Sequence, residues 1–202
     1  MSGCGCEIEI KDKAQRGVLL WLLAINGVMF VAEMVAGIIG DSTALIADSL
    51  DMLADATVYA IGLYAVGRSL LVKAKAAHLS GIFQIVLGLG VLFDIVRRTI
   101  VGSEPESMIM VIVGMVALVA NTICLVLIYK HRKGEVHMRA SWVFSKNDVI
   151  ANLGVISAGL LVAYTGSFWP DLIIGLLIAT IVMRGGLYII KDANREPAPP
   201  AN

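Results

Sequence analysis

Charge is scarce and balanced in this chain. Only 16% of the 202 residues are Asp, Glu, Lys or Arg, and 16 basic against 16 acidic residues give a formal net charge of zero. A zero net charge gives no bulk electrostatic reason to expect nucleic acid or an acidic substrate as a partner. The motifs HExxH and GxSxG are also missing, which removes the commonest protease signatures. The sequence therefore predicts no nucleic-acid partner and neither of these protease types.

Cysteine and histidine are nearly as rare, with three residues of each. Three cysteines make no disulfide framework. Cys124 stands alone in an apolar run, where a small apolar filler is the better interpretation. Cys4 and Cys6 can present two thiolates to a soft metal ion, or they can belong to a tail with no role. No histidine lies well inside an apolar run, so a metal site there would be rich in oxygen ligands.

Apolar residues, in contrast, make up 58% of the chain. They come in runs long enough to cross a bilayer, which a soluble domain of this length does not have. The sequence predicts an all-α integral membrane protein with six transmembrane helices in one domain (17–190), between polar tails at 1–16 and 191–202. The six predicted runs are 17–39, 44–67, 79–101, 107–130, 142–165 and 170–190.

The basic residues lie on one side of this predicted membrane. Of the Lys and Arg residues, only Arg97 and Arg98 fall outside if the N-terminus is cytoplasmic. By the positive-inside rule both termini are therefore predicted to be cytoplasmic. The first run is too long for a cleavable signal peptide, so we expect it to stay as a membrane helix. We expect a multi-pass protein of a bacterial inner (plasma) membrane.

The second run carries three aspartates, Asp48, Asp51 and Asp55. Their spacings of three and four place them on one helical face. One acidic group at the centre of a membrane helix costs about 2.5–3.5 kcal/mol on insertion scales, so three on one face require a reason. In the fifth run Asp148 and Asn152 share a face, four residues apart. A divalent cation turns this cost into coordination, with Asp51, Asp55, Asp148 and Asn152 as predicted ligands, and its release leaves groups that bind protons.

Other polar residues of the runs have simpler interpretations. Glu33 in the first run is a proton carrier, an outer ligand, or a hydrogen-bonding partner of a neighbouring helix. Asp94 is spaced to pair with Arg97 and Arg98 at an interface. The third and fourth runs look like scaffold, with Asn121 the one strongly polar group of the fourth.

Three stretches carry a family resemblance: TALIADSLDMLADA, SKNDVIANLGVISAGLL and WPDLIIGLLIATIVMRGGLYII. They are similar, in matching order, to spans of the cation diffusion facilitators. The resemblance implies six spans, a divalent-metal site between the second and fifth helices, and metal export driven by proton antiport. Asp51 and Asp55 fall on the family's second-helix ligand pair, and Asp148 falls on one of its two fifth-helix ligands. Zinc is the expected ion, with Cd, Co and Mn as alternatives.

Two departures from the family pattern stand out. The other fifth-helix ligand position is Phe144, which cannot coordinate, so Asn152, Ser145, Asn147 or water must complete the shell; helical phase favours Asn152. Only a short polar tail follows the last run, so we expect the family's cytoplasmic C-terminal domain to be lacking and any homodimer to form through membrane helices.

The predicted ligands lie at different depths along their two helices. Asp55 lies about 18 Å from the outer end of its run and Asp148 about 25 Å from that of its own.

Two other functions compete with transport. A CDP-alcohol phosphotransferase also uses clustered aspartates, but its Asp-Gly and Ala-Arg pairs do not precede Asp51. A non-transporting metal sensor is the second alternative.

Overall fold

The chain folds as a helical bundle, seen in a computed structural model that describes residues 4–65, 70–130 and 136–194. The described residues form six α-helices and no strand, as the sequence predicts. The helices are α1 Cys4–Ile39, α2 Thr43–Ala65, α3 Leu70–Val101, α4 Ser107–Tyr129, α5 Val136–Thr165 and α6 Trp169–Ala193.

Five of these helices are long and apolar enough, within the described residues, to cross a membrane. The remaining one, α2, has 23 residues and the three aspartates of the predicted site. Large apolar side chains cover the outside of the bundle, and Ile100 and Phe93 are 78% and 74% exposed. An exposed apolar surface of this extent suits contact with lipid rather than water. The chain is a multi-pass membrane protein.

Three helices begin earlier than the apolar runs predict. Helix α1 starts at Cys4 instead of 17, α3 at Leu70 instead of 79, and α5 at Val136 instead of 142. The hydropathy pattern marks only the apolar part of a helix, and these helices continue into polar sequence. The predicted tail of residues 1–16 is thus helical from Cys4 onward. The side chains of Cys4 and Cys6, and residues 195–202 of the predicted second tail, lie outside the described part.

The helices pack mainly as three antiparallel pairs, α1 with α2, α3 with α6, and α4 with α5. Helix α2 also contacts α3, α5 and α6, so it is central to the bundle. In the α3–α6 pair the two backbones meet directly: a Cβ built on Gly81 would lie 2.6 Å from the carbonyl oxygen of Gly186. Glycine allows this close crossing because it has no side chain.

The α1–α2, α3–α4 and α5–α6 connections (residues 40–42, 102–106 and 166–168) lie at one end of the bundle, here called the turn end. The predicted ion pairs of Asp94 with Arg97 and Arg98 are present there, at 2.9 and 2.6 Å. Arg98 is itself buried and also donates to the carboxylate of Asp41 in the α1–α2 turn.

Asp41 joins further groups at the turn end. Its carboxylate accepts hydrogen bonds from the Ser103 hydroxyl and the Glu104 backbone N–H, both at 2.9 Å. Partial burial alone would raise the pKa of Asp41, but these hydrogen bonds and the charge of Arg98 together lower it. The ionised side chain therefore ties the α1–α2 turn to α3 and to the α3–α4 loop.

The N-terminus of α2 is capped twice. Ser42 caps it within the chain, because its hydroxyl accepts the Leu45 N–H at 3.2 Å. Asp171 adds a second cap from α6: its carboxylate accepts the backbone N–H groups of Thr43 and Ala44 at 2.7 and 3.0 Å. Asp171 thus stabilises α2 as well as standing in the first turn of its own helix.

Candidate metal centre

The candidate site lies where α2 faces α5. All three aspartates of α2 are buried, with Asp48 0%, Asp51 9% and Asp55 4% exposed. Helix α5 buries Asp148 and Asn152 against them. The apolar core packs on the same helices, through Ala47 and Ala54 of α2 and Ala151 and Val155 of α5 among others. Helices α2 and α5 contact each other in this region.

A hydrogen bond fixes how α2 and α5 align. The Asn152 amide nitrogen donates to Asp48 Oδ2 at 2.6 Å, so these two residues lie at one depth. Asn152 stands about 20 Å from the end of α5 at Thr165, while Asp48 stands about 8 Å from the start of α2. Helix α5 therefore extends about 12 Å farther at the turn end. This difference in helix ends explains the uneven depths calculated from the sequence.

The remaining ligand candidates follow from that alignment. Asp51 lies about 4.5 Å deeper than Asp48, and Asp148 lies about 6 Å deeper than Asn152. The two carboxylates are thus nearly level on facing helices. Asp55 is another turn deeper, level with Ser145. The charges of Asp55, Asp51 and Asp48 all act on Asp148.

Asn152 is the centre of a polar chain across three helices. Its amide oxygen accepts a hydrogen bond from the Asn121 side chain of α4 at 2.8 Å, while its nitrogen binds Asp48. Both ends of the Asn152 amide are therefore engaged. Asn121 is fully buried and joins α4 to the site, so α4 contributes a polar contact as well as apolar packing.

Tyr59 makes a second contact that the sequence analysis missed. It lies one turn after Asp55 on α2, is 1% exposed, and donates its hydroxyl to Asp55 Oδ2 at 3.0 Å. Its spacing of four from Asp55 was a usable signal. By contrast, Asp48 Oδ1 and Asp148 Oδ2 are buried oxygens without a hydrogen-bond partner in the described structure.

These carboxylates share one polar region without forming a closed cage. Within residues 4–65, 70–130 and 136–194, no three His, Cys, Asp or Glu side chains are close enough to hold a metal ion. Two of the aspartates accept hydrogen bonds from other side chains: Asp48 from the Asn152 amide and Asp55 from the Tyr59 hydroxyl. Binding of an ion by three of these side chains would require them to move closer together.

The family ligand position occupied by Phe144 is half-buried. Next to it, the Ser145 side chain is fully buried, and its hydroxyl lies close to that of Tyr59 without a well-formed hydrogen bond. Asn147 is half-buried. Ser145 therefore offers a hydroxyl oxygen as a possible metal ligand. It lies level with Asp55 and on the same face of α5 as Asp148.

Glu33 brings a further carboxylate from α1. It is completely buried, and neither of its side-chain oxygens has a hydrogen-bond partner among the described residues. Its charge interacts with those of Asp48 and Asp51. The described part of the chain thus gives no support to the interpretation of Glu33 as a hydrogen-bonding link between helices.

Comparison with known proteins covers nearly the whole bundle. The family described as the cation efflux transmembrane domain matches residues 19–196. The cation efflux system protein CzcD of Alcaligenes sp. (strain CT14) is 24% identical over 183 residues, which are 85% of this chain and 58% of CzcD. The zinc transporter ZitB of Escherichia coli (strain K12) is 24% identical over 88% of this chain and 61% of ZitB.

A third relative has a more detailed name. The cadmium, cobalt and zinc/H(+)-K(+) antiporter of Bacillus velezensis is 23% identical over 87% of this chain and 60% of its own length. The chain spans about 60% of the length of these curated relatives. Because the family match takes in all six helices, the chain belongs to the cation efflux transmembrane domain family.

Proposed function

We propose that this protein exports divalent metal cations across a membrane, in exchange for protons. Zinc-like ions are the expected cargo, since the similar proteins are named for zinc, cadmium and cobalt. The oxygen-rich ligand set makes Mn²⁺ a further candidate. Asp51, Asp55 and Asp148 are the proposed metal ligands. Asn152 is a further proposed ligand through its amide oxygen, which has a second lone pair beside the one that accepts from Asn121.

One observation carries this proposal. Asp148 is buried on α5, nearly level with the buried Asp51 of α2, and Asp48 and Asp55 are buried on the same face of α2. Such a group of carboxylates in a membrane interior is costly unless a cation or protons balance it. A mobile divalent ion supplies that balance. Its binding offsets the free-energy cost of the buried carboxylates, and its movement through the site is transport.

Proton exchange follows from the same chemistry. A carboxylate must be ionised to bind a metal, so metal release and proton uptake are coupled. A membrane potential adds about 2.3 kcal/mol per charge moved for each 100 mV. Inward protons can then drive outward metal, provided that the site opens to each side in turn.

The direction of export depends on the proposed orientation. With both termini cytoplasmic in a bacterial inner membrane, the turn end faces outward, and the two turn-end arginines are on the outside. A homodimer through membrane helices remains part of the proposal, and cross-linking in native membranes measures it.

Metal flux in proteoliposomes tests the proposal directly. Vesicles holding the purified chain and a pH-sensitive dye are supplied with Zn²⁺, Cd²⁺, Co²⁺ and Mn²⁺ in turn. We expect Asp51→Asn and Asp148→Asn to reduce flux of every ion by more than about tenfold, because loss of an outer-shell partner alone costs about 10–100-fold. The control Glu104→Gln changes an exposed carboxylate at the turn end and should keep full flux.

Each other outcome has a definite meaning. Normal flux through Asp148→Asn would overturn the assigned site. Metal flux without a proton signal would reject antiport. Binding without flux would indicate a sensor, and formation of a phospholipid product from a CDP-alcohol would indicate the enzyme.

A further inference from the structure

Cys124 of α4 lies beside the candidate metal centre. It is three residues after Asn121, which bonds to Asn152, and Asp148 is four residues before Asn152. Since α4 and α5 pack as an antiparallel pair, Cys124 and Asp148 each stand one turn deeper on the faces that meet. The charges of Asp148 and Asp55 act on the Cys124 thiol.

Two other helices bring polar groups to this thiol. The Asn26 amide of α1 donates to Cys124 Sγ at 3.9 Å. Tyr59, which holds Asp55 through its hydroxyl, packs in one cluster with Cys124. The thiol is completely buried and stands where this apolar cluster meets the carboxylates.

Buried oxygens without hydrogen-bond partners indicate that Cys124 is more than an apolar filler. Asp148 Oδ2 and Asn26 Oδ1 are both buried without a hydrogen-bond partner in the described residues, and their side chains are 3% and 0% exposed. Buried polar atoms are normally paired, so such groups call for a ligand that the protein chain does not supply. A cation placed among them would satisfy the carboxylate and the thiol together.

We propose that the Cys124 thiol is a soft ligand of the transported ion, which supplies from α4 a donor that Phe144 cannot supply from α5. This inference rests on the proposed function and names a determinant of its ion preference. A thiolate favours Zn²⁺ and Cd²⁺ over Mn²⁺, whereas carboxylates alone do not separate these ions well. The thiol loses its proton when the ion binds, as every metal-bound cysteine does.

Ion binding at this point requires the site to contract. No three acidic, histidine or cysteine side chains of the described residues are yet within metal-binding reach of each other. Release of Asp55 by Tyr59 is the change that would free a second carboxylate next to the thiol. The proposal therefore concerns the ion-bound arrangement.

Spectroscopy and flux together test the role of Cys124. All variants carry Cys4→Ser and Cys6→Ser, so that Cys124 is the one thiol left of three. We expect Cd²⁺ to produce an ultraviolet thiolate-to-cadmium absorption in this background, and Cys124→Ser to abolish it. In proteoliposomes, the ratio of Cd²⁺ flux to Mn²⁺ flux should fall at least about tenfold in Cys124→Ser.

The controls separate this inference from the proposed function. Cys124→Ala repeats both measurements without a polar hydroxyl, and it decides the matter if the serine variant does not fold by gel filtration. An unchanged flux ratio in both variants, or no absorption in the background, would overturn the role of Cys124. If Asp148→Asn stops flux in that case, the proposed function stands without the thiol; if Asp148→Asn transports normally, the proposed function fails.

Discussion

Asn152 shows how one amide can be read in two ways. From helical phase it is a metal ligand, because it shares a face with Asp148. In the folded chain it joins α2, α4 and α5, donating to Asp48 and accepting from Asn121. The second role is structural and explains why an amide, with a donor and an acceptor, stands at this position.

We predict that Asn152→Ala lowers the free energy of unfolding by about 1–3 kcal/mol, because it leaves buried groups of Asp48 and Asn121 without partners. Thermal unfolding in detergent measures the change. The matched control is Asn147→Ala, an amide removed from a half-buried position of the same helix.

Added Zn²⁺ separates the two roles of Asn152. A metal that binds the folded state raises its stability by mass action. If Asn152 acts only as a link between helices, Zn²⁺ should stabilise Asn152→Ala as much as it does the unchanged chain. Loss of this stabilisation would show that the amide is a ligand.

At the scale of helices, the α3–α6 crossing depends on missing side chains. We predict that Gly81→Ala destabilises the bundle by about 1–3 kcal/mol, as overpacking does, because its Cβ would meet the backbone oxygen of Gly186. Unfolding of the purified variant in detergent measures this.

Gly90→Ala is the matched control on the same helix. A Cβ at Gly90 has no atom within 4 Å, so alanine should be neutral or stabilising by up to about 1 kcal/mol through its higher helix propensity. Equal effects of the two substitutions would contradict the close crossing.

The start of α2 depends on a residue far away in sequence. We expect Asp171→Ala to cost about 0.5–2 kcal/mol, the usual range for a lost helix cap, because the Thr43 and Ala44 N–H groups lose their acceptor. Hydrogen exchange should rise at these two amides first. An increase confined to the start of α6 would mean that Asp171 serves only its own helix.

Helix identity could be predicted from the sequence because the runs are long and apolar. Helix ends could not: α3 and α5 continue into polar sequence, where hydropathy no longer marks them. The buried carboxylates of α2 and α5 were predictable from helical spacing. The contact of Tyr59 with Asp55 could have been predicted from their spacing of four on α2. The contact of Asn121 with Asn152 could not, since it depends on how α4 and α5 align, which a single sequence does not give.

At the scale of the whole molecule, Asp41 couples stability to pH. Its pKa is lower in the folded chain than in the unfolded one, so its contribution to stability is present above the ordinary aspartate value of about 3.9 and is lost as the pH falls below it. We predict that the thermal midpoint falls less between about pH 5 and pH 3 in Asp41→Asn than in the unchanged chain.

Asparagine suits this test because Asp41 has a positive φ of 46°, which asparagine tolerates better than most residues. Glu104→Gln, which changes a carboxylate outside this network, should keep the full acid dependence. Parallel curves for Asp41→Asn and the unchanged chain would remove Asp41 as a source of acid sensitivity.

The direct meeting of Gly81 with Gly186 limits which parts of the protein can move. Helices in backbone contact lose that contact if they slide or roll against each other, so α3 and α6 should travel as one rigid body. Between α2 and α5, in contrast, a side-chain amide makes the hydrogen-bonded link, and side chains can exchange partners at little cost. A transport cycle would then work by rearranging the α2–α5 boundary around the α3–α6 pair.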